Sequence, residues 1–338
     1  MPTRKRPGTA PGITDRRIDA LLALLSDNPL IVISGQKIAR EIGVTRSSVW
    51  RWTQRLRALG VRVKGHPRTG YQIERVPDVL SPSLLRRQLH NSALGKHIHH
   101  YFKAASTNAI AFERGDAGDP HGTVVVAEEQ TAGRGRAGRT WHSEKTSGIY
   151  VTVLLRPTLS PVLAPVITMV AGLAVRDAVL EETGLAPDLR WPNDLLMAGK
   201  KFCGILTEMH AEPDRVRFII VGIGVDVNHA SMPTEIANVA TSLRIVTGRT
   251  HSRLQLLVRL LRHLETYYNR FIEEGPAPIL ARFTDVSSFA RGKRVRISTA
   301  GESYTGTTDG LEPNGLLRVC RDDGRTDVVI SGDVAEAR

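Results

Sequence analysis

The chain has 338 residues, 41% of them hydrophobic and 24% charged, enough for two or three globular domains with a substantial core. No apolar run reads as long enough to span a membrane, and the basic N-terminus has no apolar segment behind it, which excludes a secretory signal. Cys203 and Cys320 lie too far apart for a zinc spacing, so a reducing cytoplasm is the expected compartment.

The net charge of +12 is unevenly placed. Residues 1–75 hold fifteen Lys/Arg against five Asp/Glu, a net +10, which leaves only +2 for the other 263 residues. Such asymmetry is the electrostatic footprint of nucleic-acid binding by one domain, although charge alone fits a solvated basic surface as well. Residues 1–12 form a basic, Pro/Gly-rich tail. Ile18, Leu21, Leu22 and Leu25 then recur at helical spacing. Ser34 precedes a short helix, Gln36 to Ile42, ended by Gly43, and Thr45 is a good N-cap for a second helix running to about Leu59. Val49, Trp52, Leu56 and Leu59 should face the core, leaving Arg46, Ser47, Trp50, Arg51 and Arg55 outside. This is a helix-turn-helix, whose second helix enters the major groove, with Gln36 a further candidate contact. Residues 61–64 and 70–73 flank a Pro/Gly tip and make a wing. Winged helices serve DNA and protein contacts alike, and the bases read are not encoded in the pattern.

A boundary falls at Pro77 to Pro82. Beyond it strands are expected near 97–104, 123–127, 149–155, 202–209 and 217–226, with helices over about 163–183 and 251–274. The second helix carries Leu254, Leu257, Leu261 and Leu264 on one side, and the whole reads as a mixed α/β sheet with helices on one face or both.

Candidate chemistry lies between these elements. Ser106-Thr-Asn108 follows a strand and could either cap a helix starting near Ala109 or touch a ligand. Residues 130–141, Gln-Thr-Ala-Gly-Arg-Gly-Arg-Ala-Gly-Arg-Thr-Trp, alternate Gly133, Gly135 and Gly138 with Arg134, Arg136 and Arg139, and end on Trp141. Glycines permit close backbone approach, guanidiniums fork onto carboxylates and phosphates, and an indole can cover a flat heterocycle. The stretch formally matches a dinucleotide fingerprint, but a β-branched segment follows where a helix is required, and no P-loop sequence occurs. In Arg190-Trp-Pro-Asn-Asp194 the carboxamide and carboxylate could hold hydrated Mg²⁺, with Pro192 fixing the turn, or the string could be an ordinary turn. Lys201 opens an apolar strand and can aim a compact charge into a pocket, whereas Lys200 should be solvated. Gly222 and Gly224 would admit a flat ligand close to backbone. His97, His99 and His100 invite a metal reading, but only His97 and His99 share a strand face and no acid completes the set.

With these residues in place, the chain resembles the bifunctional biotin protein ligase and biotin operon repressor family over nearly its whole length. The most specific parts are Gly-Arg-Gly-Arg-x-Gly-Arg-x-Trp (133–141), Trp-Pro-Asn-Asp (191–194) and Lys-x-x-Gly-Ile-Leu (201–206), supported by 106–108, Gln130, 222–224 and 240–243. The resemblance implies that biotin's carboxylate attacks ATP, with Mg²⁺, to give biotinyl-5′-AMP. A lysine of a biotin carboxyl carrier protein, usually of acetyl-CoA carboxylase, then takes the biotin. It assigns biotin binding to Ser106, Thr107, Asn108, Gln130, Arg134, Gly135, Arg136, Lys201 and Gly204. It assigns nucleotide binding to Arg136, Arg139, Trp141, Asn193, Asp194 and Asn228, and catalysis to Lys201, Arg136 and Asp194, the last also a Mg²⁺ ligand. It further implies repression at an inverted-repeat operator, by a homodimer formed when adenylate is bound. Two positions depart from the family: Arg190 stands where lysine is usual, and Asp226 where asparagine is common.

The resemblance also gives the domain plan: tail 1–12, winged helix-turn-helix 13–76, catalytic α/β domain 83–275, and an SH3-like barrel over 285–336. That barrel's strands are expected at 293–298, 303–308, 315–320 and 326–331; in the family it helps form the ATP and acceptor sites, though by sequence it could equally be a passive cap. Other readings are a ligand-sensing transcription factor without ligase activity, a lipoate-ligase-like acyltransferase, and a ligase whose winged helix no longer binds DNA.

Overall fold

The computed structural model describes residues 16–58, 60–74, 78–213, 215–299 and 301–337. The basic tail 1–12, the core position assigned to Leu59, and Pro77 at the start of the boundary lie outside the described residues. Three helices, α1 (Arg16–Asp27), α2 (Gly35–Glu41) and α3 (Arg46–Ala58), are followed by a hairpin of β1 (Val63–His66) and β2 (Gly70–Ile73). The Ser34 hydroxyl accepts the Lys37 N–H at 3.1 Å, and Thr45 Oγ1 accepts the Ser48 N–H at 3.3 Å, so both expected caps form. Ile18, Leu21, Leu22, Leu25, Val49 and Leu56 are buried. Trp52 is only half-buried; the remaining core position goes to Thr53, whose hydroxyl donates to Val49 O at 2.7 Å and so loses no hydrogen bond on burial.

A helix, α4 (Pro82–Gln88), begins where the expected boundary ends and packs against α1. Ser83 Oγ donates to Asp19 at 2.7 Å, and Arg87 pairs with Asp27. The central domain follows as β3 (Ile98–Tyr101), α5 (Thr107–Asp116), β4 (Thr123–Ala127), β5 (Gly148–Leu155), α6 (Ala164–Thr183), β6 (Asp188–Arg190), β7 (Asp194–Met197), β8 (Lys200–Ala211), β9 (Val216–Asp226), α7 (Leu243–Thr247) and α8 (Arg253–Glu274). Its seven strands run in the order β3-β4-β5-β9-β8-β7-β6, antiparallel except for β3 with β4.

Helices cover both faces, as the side-chain alternation of the central strands demands. Val124 and Val126 of β4 join the large core under α6 and α8, while Val125 and Ala127 join a smaller cluster under α5. The segment Pro161–Thr183, containing α6, is long and apolar enough to cross a membrane by composition, contrary to the sequence expectation; α6 is the mostly buried helix between the sheet and α8. Sequence periodicity also missed β6 and β7, which are too short to show alternation, and the helix α9 (Ala277–Val286). The tail forms β10 (Arg291–Ser298), β11 (Ser303–Leu311), β12 (Leu317–Arg321), β13 (Thr326–Val329) and β14 (Asp333–Glu336), an antiparallel sheet in the order β13-β12-β11-β10-β14.

Arg253, at the first turn of α8, is buried to 1% exposure against an equally buried Glu128 just beyond β4. Its Nη1 donates to Glu128 Oε2 at 2.8 Å and to Gly148 O at 3.1 Å, and its Nε donates to Asp78 at 3.1 Å. Glu128 Oε1 also accepts the Leu80 N–H at 2.8 Å and faces His100 Nε2 at 3.1 Å. Burial alone would raise the Glu128 carboxyl, but Arg253 and His100 override it and hold its pKa at about 2. A carboxyl depressed in this way stabilises the fold above its ordinary pKa of 4.5, and that contribution is lost as pH falls toward about 2. Glu128→Gln is expected to cost about 3–5 kcal/mol at pH 7, because it leaves Arg253 buried and unpaired. Denaturant melts from pH 7 to 2 should show the wild-type advantage shrinking below about pH 4.5; parallel profiles for the two proteins would refute the assignment.

Candidate functional site

The loop after β4 closes into a small hairpin. Trp141 N donates to Gly133 O at 2.9 Å and Gly135 N to Arg139 O at 2.6 Å, with Gly138 at the tip in a left-handed conformation, φ +74°. A strand follows the loop, so the dinucleotide fingerprint is formal only. The hairpin folds over Gly204 of β8 and Gly224 of β9 and borders a cleft, open to solvent, that encloses about 460 Å³. Ser106, Thr107, Asn108, Gln130, Arg134, Gly135, Arg136, Trp141, Asn193, Lys201 and Gly204 line it together with Gly222 and Gly224. Five separate segments thereby bring most of the expected binding residues to one place.

One wall is a hydrogen-bonded polar cluster. Ser106 makes no side-chain cap on α5; instead Gln130 Oε1 accepts the Thr107 N–H at 2.8 Å and does the capping from the neighbouring loop. Gln130 Nε2 donates to Ser143 Oγ at 2.9 Å, which fixes the carboxamide's orientation. Asn108 donates to Glu208 at 2.7 Å and accepts from Thr152 Oγ1 at 2.7 Å. A Cβ on Gly222 would lie 1.9 Å from Asn108 Oδ1, so the glycine makes room for this side chain. Ser143, Thr152 and Glu208 were not among the sequence candidates. Glu208 had a readable signal, since it shares a face of β8 with Gly204 and Leu206 at the strand period of two.

The opposite wall is aromatic and charged. The Trp141 indole lies on the two glycines: a Cβ would come within 2.5 Å of it from Gly224 and within 2.8 Å from Gly204. Lys201 Nζ stands 5.3 Å from the ring centroid, within cation–π range, and 2.6 Å from Asp194 Oδ1 as an ion pair without hydrogen-bond alignment. Arg190 Nη2 donates to the other oxygen, Asp194 Oδ2, at 2.7 Å, and Arg136 Nη1 donates to Asn193 Oδ1 at 3.0 Å.

Several expectations are corrected here. Both Asp194 oxygens face cations, Lys201 at 2.6 Å and Arg190 at 2.7 Å, so in this arrangement neither is free to hold a resident Mg²⁺. Arg139 is turned out of the cleft: its Nη2 donates to both oxygens of Asp333, at the start of β14, at 2.6 Å. Asn228 lines no ligand wall; it clasps the segment before α8, donating to His251 O at 2.8 Å and accepting the His251 N–H at 2.9 Å. His99 and His100 each have an acid partner, Asp119 at 2.9 Å and Glu128 at 3.1 Å, which strand alternation alone could not supply. Lys200 is exposed and reaches Ala237 O at 2.8 Å. Asp226 is buried, and burial pushes its carboxyl well above the usual range.

A second surface lies on the N-terminal domain. Gln36, Arg46, Ser47, Trp50, Arg51 and Arg55 are all exposed. Gln36, Arg46, Ser47 and Trp50 line a groove that continues along the wing through His66, Arg68 and Tyr71. The two sites approach each other where Lys145 Nζ, beyond the arginine loop, donates to Ala58 O at the end of α3 at 3.4 Å.

The chain is similar to known proteins. Residues 102–226 match the Biotin/lipoate A/B protein ligase family, and residues 17–72 match an HTH domain. The bifunctional ligase/repressor BirA of Bacillus subtilis (strain 168) is 36% identical over 306 residues, covering 90% of this chain and 94% of its own. A biotin--[acetyl-CoA-carboxylase] ligase of Mycobacterium tuberculosis is 36% identical over 274 residues, 77% of this chain and 98% of its own. Among solved structures, the biotin protein ligase of Aquifex aeolicus in complex with biotin and ATP has a TM-score of 0.61 at 28% identity, covering 72% of this chain and 99% of that one.

The Gly222–Asn108 contact can be tested directly. Gly222→Ala is expected to cost about 1–3 kcal/mol by forcing Asn108 off Thr152. In the Asn108→Ala background the same substitution should cost clearly less, a coupling read from denaturant midpoints of the double-mutant cycle. Additive effects would exclude the contact.

Proposed function

The chain belongs to the family of bifunctional biotin protein ligases and repressors, and from that premise we propose that its cleft activates biotin with MgATP and passes it to a carrier lysine. The observation that carries this reading is the convergence in one cleft of the polar cluster Ser106–Asn108 with Gln130, the guanidiniums of Arg134 and Arg136, and Lys201. The polar cluster offers donors and acceptors of both senses, as the urea-like head of biotin needs. The glycine floor under Trp141 accepts flat groups.

The chemistry follows from the charges. A carboxylate oxygen of biotin attacks the α-phosphorus of ATP; the new P–O bond forms as the bond to pyrophosphate breaks. Negative charge gathers between carboxyl and phosphoryl oxygens, where Lys201 and Arg136 stand. Lys201 must turn from Asp194 to meet it. Arg190 then keeps Asp194 neutralised, a task its guanidinium performs from Asp194 Oδ2. Magnesium enters as part of the nucleotide substrate, not as a resident ion. In the second step the neutral carrier amine attacks the acyl carbon of the mixed anhydride, AMP leaves with the electron pair of the broken C–O bond, and the nitrogen gives up one proton to solvent. Trp141 is suited to cover the nucleotide base, and Asn193, held between Arg136 and Ile205 O, to position the phosphate side.

The carrier is a biotin carboxyl carrier domain, and the compartment a reducing cytoplasm. The basic N-terminal face binds operator DNA, with the inverted repeat read by two copies that pair when the adenylate is bound. The Lys145–Ala58 contact gives the arginine loop a direct route to the recognition helix.

Two experiments test this. Incubated with biotin, MgATP and an apo carrier domain, the wild type should biotinylate the carrier, and Lys201→Ala should lose about 100-fold or more of the adenylation rate; undiminished turnover by the variant would overturn the role of Lys201, and no transfer by the wild type the activity itself. On operator DNA, Arg46→Ala and Arg51→Ala should each weaken binding and make the dependence of log affinity on log salt shallower, by about 0.9 for each DNA phosphate left without its cation. An isotherm unchanged by both substitutions would remove the DNA face.

A further inference from the structure

Just past Trp141 the chain presents His142 and Glu144, and across from them stands His229, three residues beyond the end of β9. One potential ligand atom from each lies within 4.8 Å of the others, the only such His/Cys/Asp/Glu group among the described residues. We propose that His142, Glu144 and His229 form a binding site for a divalent transition cation of the zinc class, fastening the end of the arginine loop to the end of β9.

The donor set is right for that class. Two imidazoles and one carboxylate are a common zinc triad, leaving a fourth position for water, and they suit magnesium or calcium poorly. Bonds of 2.0–2.1 Å in a tetrahedron put ligand atoms about 3.4 Å apart, so the group must close by roughly an ångström. His142 and Glu144 are exposed and free to rotate inward.

His229 is the fixed member. It is fully buried, and its carbonyl accepts Ser242 Oγ at 2.8 Å. Its ring stands between Tyr150 Oη, 3.4 Å from Nε2, and Asp226 Oδ1, 3.7 Å from Nδ1. With the metal on Nδ1, Nε2 keeps the Tyr150 hydroxyl as the neighbour that orients the ring, as metal-bound histidines require. Nδ1 has no hydrogen-bond partner, an arrangement that costs stability in a buried ring unless something fills the role.

The position gives the ion leverage. His142 and Glu144 bracket Ser143, which orients Gln130 in the cleft wall, and Lys145 beside them touches α3. A cation here stiffens both connections at once, without touching the reacting atoms.

Cobalt(II) is the probe. Titrated into tag-free, chelator-stripped full-length protein, it should give weak visible d–d bands saturating at one equivalent, without thiolate charge transfer, and bleached by Zn²⁺. His142→Ala and Glu144→Gln, both at exposed side chains, should each lower Co²⁺ affinity at least ten-fold with an unchanged melting temperature. Absence of the bands, or wild-type affinity in either variant, overturns the site. Neither readout depends on biotin transfer, so failure here leaves the proposed activity intact.

Discussion

The buried ion pair between Arg253 and Glu128 fixes the frame on which the cleft is built. One guanidinium ties the first turn of α8 to the end of β4, the start of β5 and the segment leaving the N-terminal domain. Glu128 lies two residues before Gln130, and its carbonyl accepts the Thr146 N–H at 2.9 Å, which draws the two ends of the arginine loop together. Two such ions pay a heavy desolvation cost, and the fold recovers it by satisfying nearly every remaining lone pair and proton around them. The same network reaches Asp78 and Leu80, so a charged clasp holds the segment that enters the central domain.

Within that frame the cleft is made by omission. Glycines at 204, 222 and 224 remove the side chains that alternation would point into the site, and Trp141 and Asn108 occupy the space so released. Charge is arranged in a complementary way. Asp194 holds Lys201 and Arg190 on its two oxygens, which keeps the lysine ordered at the edge of the cleft. At the two positions that depart from the family, the Arg190 guanidinium holds the Asp194 carboxylate, and the Asp226 carboxyl is buried, which pushes its pKa up.

The sequence by itself determined the local features and their chemistry. Helical spacing around Val49 and Leu56, caps at Ser34 and Thr45, the run of valines in β4 and the Gly/Arg loop all depend on residues a few positions apart, so pattern was enough to read them. The family motifs named the cleft residues because they are short, ordered strings. What escaped were elements too brief for a period, such as β6 and β7, and a helix, α9, hidden behind two prolines. Tertiary structure alone decided which side chain meets which. Arg139 goes to Asp333 and not to the ligand, Asn228 serves His251, Asp194 is filled by cations, and His229 comes to face His142 and Glu144. The partners in these pairs come from different segments, up to 194 residues apart in the Arg139–Asp333 case, and only the folded sheet, with its fixed register, brings them within the few ångströms at which hydrogen bonds and ion pairs act.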